Sequence, residues 1–276
     1  MYTQLQLRDS ARPPVTLATL RAMKQRGEKI ACLTCYDASF AVLVDAADVD
    51  VVLVGDSLGM VIQGHDTTVP VTMDDMVYHT RAVNRGTQRP LLMADLPFMS
   101  YASREQALAN AARLMQQGGA EIVKLEGGAG QVEIVEYLAS HDIAVCAHLG
   151  LKPQSVHKSG GFRVQGREPD AAERMFHDAQ SLAAAGADLV LLECVPNELA
   201  ARVTQALEVP VIGIGAGPRV DGQILVLYDV LDITTGRKPR FVRNFMRGAG
   251  DNLAALKAYV QAVKTGEYPA PEHCFG

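Results

Sequence analysis

Short apolar runs alternate along the chain with longer stretches whose apolar residues recur at helical spacing. The runs occupy residues 30–35, 51–55, 90–95, 121–126, 143–148, 188–193 and 209–214, and 224–228 is a weaker eighth. Several are nearly continuous in Val, Leu and Ile, as strands buried on both faces should be. Helix signals fall between them. Thr72, with Asp75 three residues on, opens a capping box and a helix to about Arg85; Ser103 with Gln106 opens another, through Gln117. Ala111, Leu114 and Met115 give that second helix an apolar face. A helix over about residues 17–25, capped by Thr16, precedes the first strand and is placed to close the bottom of a barrel. The alternation implies βαβ units and a parallel sheet.

Weak internal repetition supports this. Gly119-Ala-Glu-Ile-Val-Lys-Leu-Glu126 resembles Gly186-Ala-Asp-Leu-Val-Leu-Leu-Glu193: a helix end, a glycine, a strand, then a glutamate. A doubly wound sheet can show the same repeat, but 276 residues suit a (β/α)₈ TIM barrel folding as a single domain. No low-complexity linker divides the chain. Beyond about Arg237 it is richer in Lys, Arg and Pro and looks like an appended segment.

Composition narrows the function classes. Apolar residues make up 48% of the chain, enough for a sizeable core. The formal net charge is −5 and no basic block stands out, which argues against nucleic acid as a partner. The opening residues, MYTQLQLRDS, lack the basic region and apolar run of a signal peptide, and no apolar stretch is long enough for a membrane span, so a soluble cytoplasmic protein is expected. Five cysteines at irregular spacing do not make a disulfide framework. Cys32 and Cys35 form a C-x-x-C, but three apart on a strand they point to opposite faces and read as small core residues.

The chemistry stands at the ends of the runs. The second leads into Asp56 and Ser57, and the third ends at Asp95. The fourth ends at Glu126, with Lys124 two residues before. The fifth ends at His148 and the sixth at Glu193. In a parallel barrel all these ends meet at one mouth, where such enzymes keep their active sites. A single carboxylate after a strand is commonly a helix cap or a loop residue; five ionisable strand ends together are harder to explain that way. Lys124 and Glu126 share one strand face. Turned inward, they are an expensive buried pair unless a ligand or metal accompanies them.

Two aspartates on neighbouring strands suit a hard, oxygen-liking cation. Mg²⁺ takes one or two carboxylates and keeps waters or substrate oxygens elsewhere, whereas zinc prefers cysteines and histidines. A 2-keto acid can chelate such a metal, which stabilises charge on the keto oxygen as the adjacent carbon loses a proton. Lys124 is placed to pair with the substrate carboxylate, and Glu193, across the mouth, to remove the proton.

Other motifs are weaker. Gly213-Ile-Gly-Ala-Gly217 fails the G-x-G-x-x-G pattern at Pro218, and reads better as a tight turn or close backbone approach than as a phosphate loop. Gly127-Gly-Ala-Gly130 lets the chain turn into the next helix. Residues 152–168, rich in Gly, Lys and Arg, are either a substrate-covering lid or a solvated loop. His65, His79 and His141 read as structural or surface residues.

Six segments carry a family resemblance: Gly55-Asp-Ser-Leu-Gly-Met-Val-Ile-Gln-Gly-His-Asp66, Met93-Ala-Asp-Leu-Pro-Phe98, Val123-Lys-Leu-Glu-Gly-Gly128, His148-Leu-Gly-Leu-Lys-Pro-Gln-Ser155, Leu192-Glu-Cys-Val-Pro196 and Ile212-Gly-Ile-Gly-Ala-Gly217. In this order they resemble the 3-methyl-2-oxobutanoate (ketopantoate) hydroxymethyltransferase family, from about Thr16 to Phe245. The resemblance implies a (β/α)₈ barrel of the phosphoenolpyruvate/pyruvate type. It implies transfer of a one-carbon unit from 5,10-methylenetetrahydrofolate to 3-methyl-2-oxobutanoate, giving 2-dehydropantoate on the way to pantothenate and coenzyme A. It implies Mg²⁺ on Asp56 and Asp95, with Glu126 as a ligand or water-mediated contact. Ser57 and Lys124 would bind the keto acid with both aspartates, Glu193 would be the base, and His148 matches an active-site residue. It also implies a homodecamer. Asn197 and residues 226–235 depart from the family pattern. The rival readings are a metal-dependent 2-keto-acid lyase or aldolase of the same superfamily, told apart by folate dependence, and a barrel that only binds or scaffolds.

Overall fold

The computed structural model describes residues 13–161 and 163–276, so the opening residues read for a signal peptide lie outside the described part. Eight parallel strands close into a barrel in sequence order: β1 Ile30–Thr34, β2 Val51–Val54, β3 Leu91–Asp95, β4 Ile122–Glu126, β5 Val145–Gly150, β6 Leu189–Glu193, β7 Val211–Ile214 and β8 Gly222–Leu225. β8 pairs back onto β1, so no strand edge is left open. The helices are α1 Leu17–Arg26, α2 Ala38–Ala46, α3 Leu58–Val61, α4 Met73–Gly86, α5 Arg104–Arg113, α6 Val132–Ala139, α7 Val156–Ser159, α8 Pro169–Ala184, α9 Asn197–Ala206, α10 Leu227–Val230 and α11 Asn252–Thr265.

Two apolar layers follow from the two-residue side-chain period of the strands. Alternate residues point outward, among them Leu33, Val52, Val123 and Val190, and pack under the helices. The others, including Cys32, Leu53, Met93, Ile122 and Leu191, fill the barrel interior, where Leu20 and Met23 of α1 join them. Helix α1 therefore plugs the bottom. Its start is fixed by the expected Thr16 cap, which forms a reciprocal box with Thr19. Cys32 lies inside and Cys35 outside, both as free thiols.

Several expected boundaries shift. The eighth strand is Gly222–Leu225 rather than 224–228, and residues 227–230 turn into α10. The apolar pattern misses its start because Gly222 and Gln223 open it. A Cβ at Gly222 would meet Ile30 O at 2.5 Å, so the barrel seam there has room only for glycine. Its end is set when Leu227 N donates to Thr34 Oγ1. The Thr72–Asp75 box forms in full, whereas Gln106 reaches back to Ala102 N instead of Ser103 N. That second helix stays α-helical only to Arg113, and Leu114–Gly118 is a π-turn. The tail beyond Arg237, expected as an appendage, carries α11, which packs on α2 and β1 as the outer helix of the eighth unit. Tyr259 of α11 is buried, its hydroxyl 2.7 Å from Cys32 O and 3.0 Å from Gln223 O.

Candidate active site

The interior positions of β3, β4, β5 and β6 read apolar at the bottom and ionisable at the top. Met93 is followed two residues later by Asp95, Ile122 by Lys124 and Glu126, Cys146 by His148, and Leu191 by Glu193. The same periodicity that fills the core therefore aims these side chains into the mouth. Asp56 and Ser57, just past β2, join them. All seven expected residues line one cavity of about 890 Å³.

The groups are held tightly. Asp56 N donates to Asp95 Oδ2 at 3.0 Å, which ties the ends of β2 and β3 together. Lys124 Nζ is 2.9 Å from Asp95 Oδ1 and 3.3 Å from His148 Nδ1. That ring nitrogen is also 3.5 Å from Glu126 Oε1, and Nε2 is 3.3 Å from Glu193 Oε2. Ser57 Oγ lies 2.9 Å from the Tyr36 hydroxyl. Asp56, Asp95, Lys124, Glu126 and His148 are all buried.

Burial and mutual repulsion set the protonation states. Burial raises the pKa of Asp56, and the carboxylates of Asp95 and Glu126 raise it further. Burial also raises Asp95, against the opposing pull of Lys124. For Glu126, burial is outweighed by His148, Lys124 and the Gln154 backbone, which hold it below the ordinary value. Lys124 resists the desolvation that would discharge it, because Asp95, Glu126 and Asp56 hold the proton on. Asp56, Asp95 and Glu126 present carboxylate oxygens to one cavity, the donor type that a hard divalent cation takes, usually one or two at a time. Glu126 Oε1 has only its 3.5 Å contact with His148 Nδ1, and Asp95 Oδ1 only its ionic contact with Lys124. Among the described residues, no three His, Cys, Asp or Glu side chains are drawn into a closed ligand cage.

Sequence reasoning missed Gln154, Tyr101 and Tyr36. Gln154 sits in the 152–168 stretch, where the 3₁₀ turn Pro153–Ser155 drops it, buried, onto Asp56. It lies within one of the six family segments, but a glutamine in a polar loop does not by itself mark a site residue. Pro153, Arg163 and Val164 of that stretch line the cavity, so the segment is more than a solvated loop. From the tail, Arg237, Lys238 and Arg240 complete the rim. The glycine run after β7 is a tight turn: Gly215 and Gly217 have φ of 60° and 78°, and Gly217 lies against the Asn197 side chain. His65 and His141 are exposed, while His79 Nδ1 is 2.7 Å from the backbone carbonyl of Tyr36, whose hydroxyl meets Ser57. A second, shallower depression of about 660 Å³ beside Gly166, Arg202 and Gly276 contains none of the mouth carboxylates.

A closed parallel barrel with its ionisable strand ends gathered at one mouth defines a (β/α)₈-barrel enzyme. A family profile described as ketopantoate hydroxymethyltransferase matches residues 14–271. The chain is 63% identical over 265 residues to the 3-methyl-2-oxobutanoate hydroxymethyltransferase of Alkalilimnicola ehrlichii, covering 96% of each chain. It is 60% identical over 261 residues to the protein of the same name from Halorhodospira halophila, covering 95% of this chain and 94% of that one. The chain belongs to the ketopantoate hydroxymethyltransferase family. Among solved structures, it is similar to 2,3-dimethylmalate lyase, a PEP mutase/isocitrate lyase superfamily member. That match has a TM-score of 0.55 and 18% identity, covering 77% of this chain and 81% of that one. It is also similar to phosphonopyruvate hydrolase in complex with oxalate and Mg²⁺, with a TM-score of 0.57 and 15% identity, covering 76% and 80%. These likenesses are of fold alone.

Proposed function

We propose that this barrel transfers a hydroxymethyl unit from 5,10-methylenetetrahydrofolate to 3-methyl-2-oxobutanoate, with water supplying the hydroxyl oxygen, and releases 2-dehydropantoate and tetrahydrofolate. The observation that carries the reading is the convergence of Asp56, Asp95 and Glu126 beside Lys124, with Glu193 across His148 on the next wall. Asp56 and Asp95 would hold Mg²⁺, with Glu126 as a direct or water-mediated contact. When bound, Mg²⁺ supplies charge stabilisation at the keto oxygen of the substrate.

The protein residues do the rest. Ser57 and Lys124 anchor the keto acid together with the two aspartates. His148 orients Glu193, whose carboxylate is its neighbour at 3.3 Å. Glu193 takes the C3 proton, and the carbanion so formed attacks the methylene carbon of the folate after its bond to N10 has opened and N10 has taken a proton. Water then replaces the remaining bond to N5, leaving the hydroxyl on the transferred carbon and a proton on N5, and tetrahydrofolate departs. The walls of the mouth fix the approach of the two substrates. The whole chain acts as one domain. As the family resemblance suggests, the protein works in pantothenate and coenzyme A synthesis as a cytoplasmic homodecamer. Exposed Met60, Ile62, Phe98, Met99 and Ile233 offer apolar surface for contacts between copies. Among the described residues, no helix is long and apolar enough to cross a membrane.

The test is proton NMR of 3-methyl-2-oxobutanoate in D₂O with the protein, with and without Mg²⁺. Loss of the C3 proton signal only with metal, followed by product formation on adding the folate, supports the reading. No exchange under any of these conditions, tetrahydrofolate included, overturns it. Native mass spectrometry tests the decamer.

A further inference from the structure

Gln154 is buried and uses both ends of its amide and its backbone N–H on the acidic wall of the site. Its Nε2 donates to Asp56 Oδ2 at 2.8 Å and to Leu96 O at 3.0 Å. Its Oε1 accepts from the Tyr101 hydroxyl. Its backbone N–H donates to Glu126 Oε2 at 3.1 Å. The Tyr101 oxygen in turn accepts from Glu126 N at 3.3 Å. The amide orientation is therefore fixed, because the Leu96 carbonyl only accepts. From the loop after β5, one residue touches groups at the ends of β2, β3 and β4. It occupies one oxygen of Asp56 and one of Glu126. The second Glu126 oxygen, Oε1, has only its 3.5 Å contact with His148 Nδ1.

From these contacts we infer that Gln154 is a positioning residue for the divalent cation. It carries the loop onto the acidic wall and holds Asp56 and Glu126 in the arrangement that receives the metal. The inference rests on the proposed metal site. Hydrogen bonds to the non-coordinating oxygens of ligand carboxylates fix their direction, and their loss weakens metal binding. Tyr101 acts one step further out, by holding the amide.

The experiment is calorimetric titration of metal-free full-length protein with Mg²⁺, for the wild type, Gln154→Ala and Tyr101→Phe. Gln154→Ala is expected to weaken Mg²⁺ binding by about tenfold or more, and Tyr101→Phe by a smaller factor. In steady-state assays the half-saturating Mg²⁺ and the KM for the keto acid rise together, while kcat at saturating Mg²⁺ falls by no more than about threefold. A residue that merely supported the fold would lower thermal stability and leave the Mg²⁺ affinity of the folded fraction unchanged. Unaltered affinity in folded Gln154→Ala overturns the inference. If that variant does not fold, unaltered affinity in Tyr101→Phe does so. Failure of the wild type to bind Mg²⁺ removes the metal reading itself, and this inference with it.

Discussion

Lys124 Nζ lies 2.9 Å from Asp95 Oδ1 inside the barrel mouth, with both side chains buried. The β3–β4 register makes the two residues direct neighbours, so the sheet itself assembles the pair. Removing one partner leaves the other charge desolvated. Asp95→Ala is therefore expected to cost about 3 kcal/mol of stability, read from urea unfolding in the absence of metal. It also weakens keto-acid binding at low Mg²⁺. Mg²⁺ dependence identical to that of the wild type would take Asp95 out of the metal site.

Glu193 faces His148 Nε2, and a glutamine there keeps the shape and a hydrogen-bonding oxygen. Glu193→Gln should bind the keto acid with nearly unchanged affinity and lose turnover by about 10²-fold or more. Calorimetry reads the first effect, and C3 deuterium exchange reads the second. Exchange at the wild-type rate would assign the base to another group.

His148 titrates abnormally in the metal-free protein. Burial and Lys124 favour its neutral form, but the carboxylates of Glu126 and Glu193 outweigh them and raise its pKa above the ordinary histidine value. The protonated ring is then bound more tightly in the folded state than in the unfolded chain. Its contribution to stability is fully present below the ordinary histidine pKa of about 6.5, and is lost as pH rises through the folded value. NMR of the imidazole Cε1–H should show a midpoint above that of free histidine. Glu193→Gln should lower the midpoint, whereas a midpoint below 6.5 in the wild type would reverse the assignment.

The bottom plug and the tail are testable without activity. Leu20→Ala opens a void among the interior residues and should cost about 2–5 kcal/mol. Tyr259→Phe leaves the carbonyls of Cys32 and Gln223 without their buried donor and should cost about 1–3 kcal/mol. Chemical unfolding measures both. A Tyr259→Phe protein as stable as the wild type would mean that α11 is not fastened to the barrel through this hydroxyl.

The strands with continuous Val, Leu and Ile were legible because burial on both faces writes itself into the sequence as an unbroken apolar run. The site was legible for the same reason. Where such a run ends in Asp95, Glu126, His148 or Glu193, a charge stands one period beyond core positions and must emerge at the mouth. β8 was misplaced because Gly222 and Gln223 answer to neighbours outside the apolar run, Ile30 across the seam and the Gly217 carbonyl in the preceding turn. The π-turn at Leu114–Gly118 likewise carries no local mark that the α-period would reveal.

The sequence alone determined the alternation of strands and helices, the capped plug helix, the order of the ionisable strand ends and, through six segments, the family. These features depend on neighbours within a few residues, where side-chain period and local hydrogen bonding decide. Only the tertiary structure decided that Asp95 faces Lys124, that His148 stands between Lys124, Glu126 and Glu193, and that Gln154 folds onto Asp56, 98 residues away. Such pairings are set by strand register and loop closure across the barrel, and those are properties of the closed sheet rather than of any segment in it.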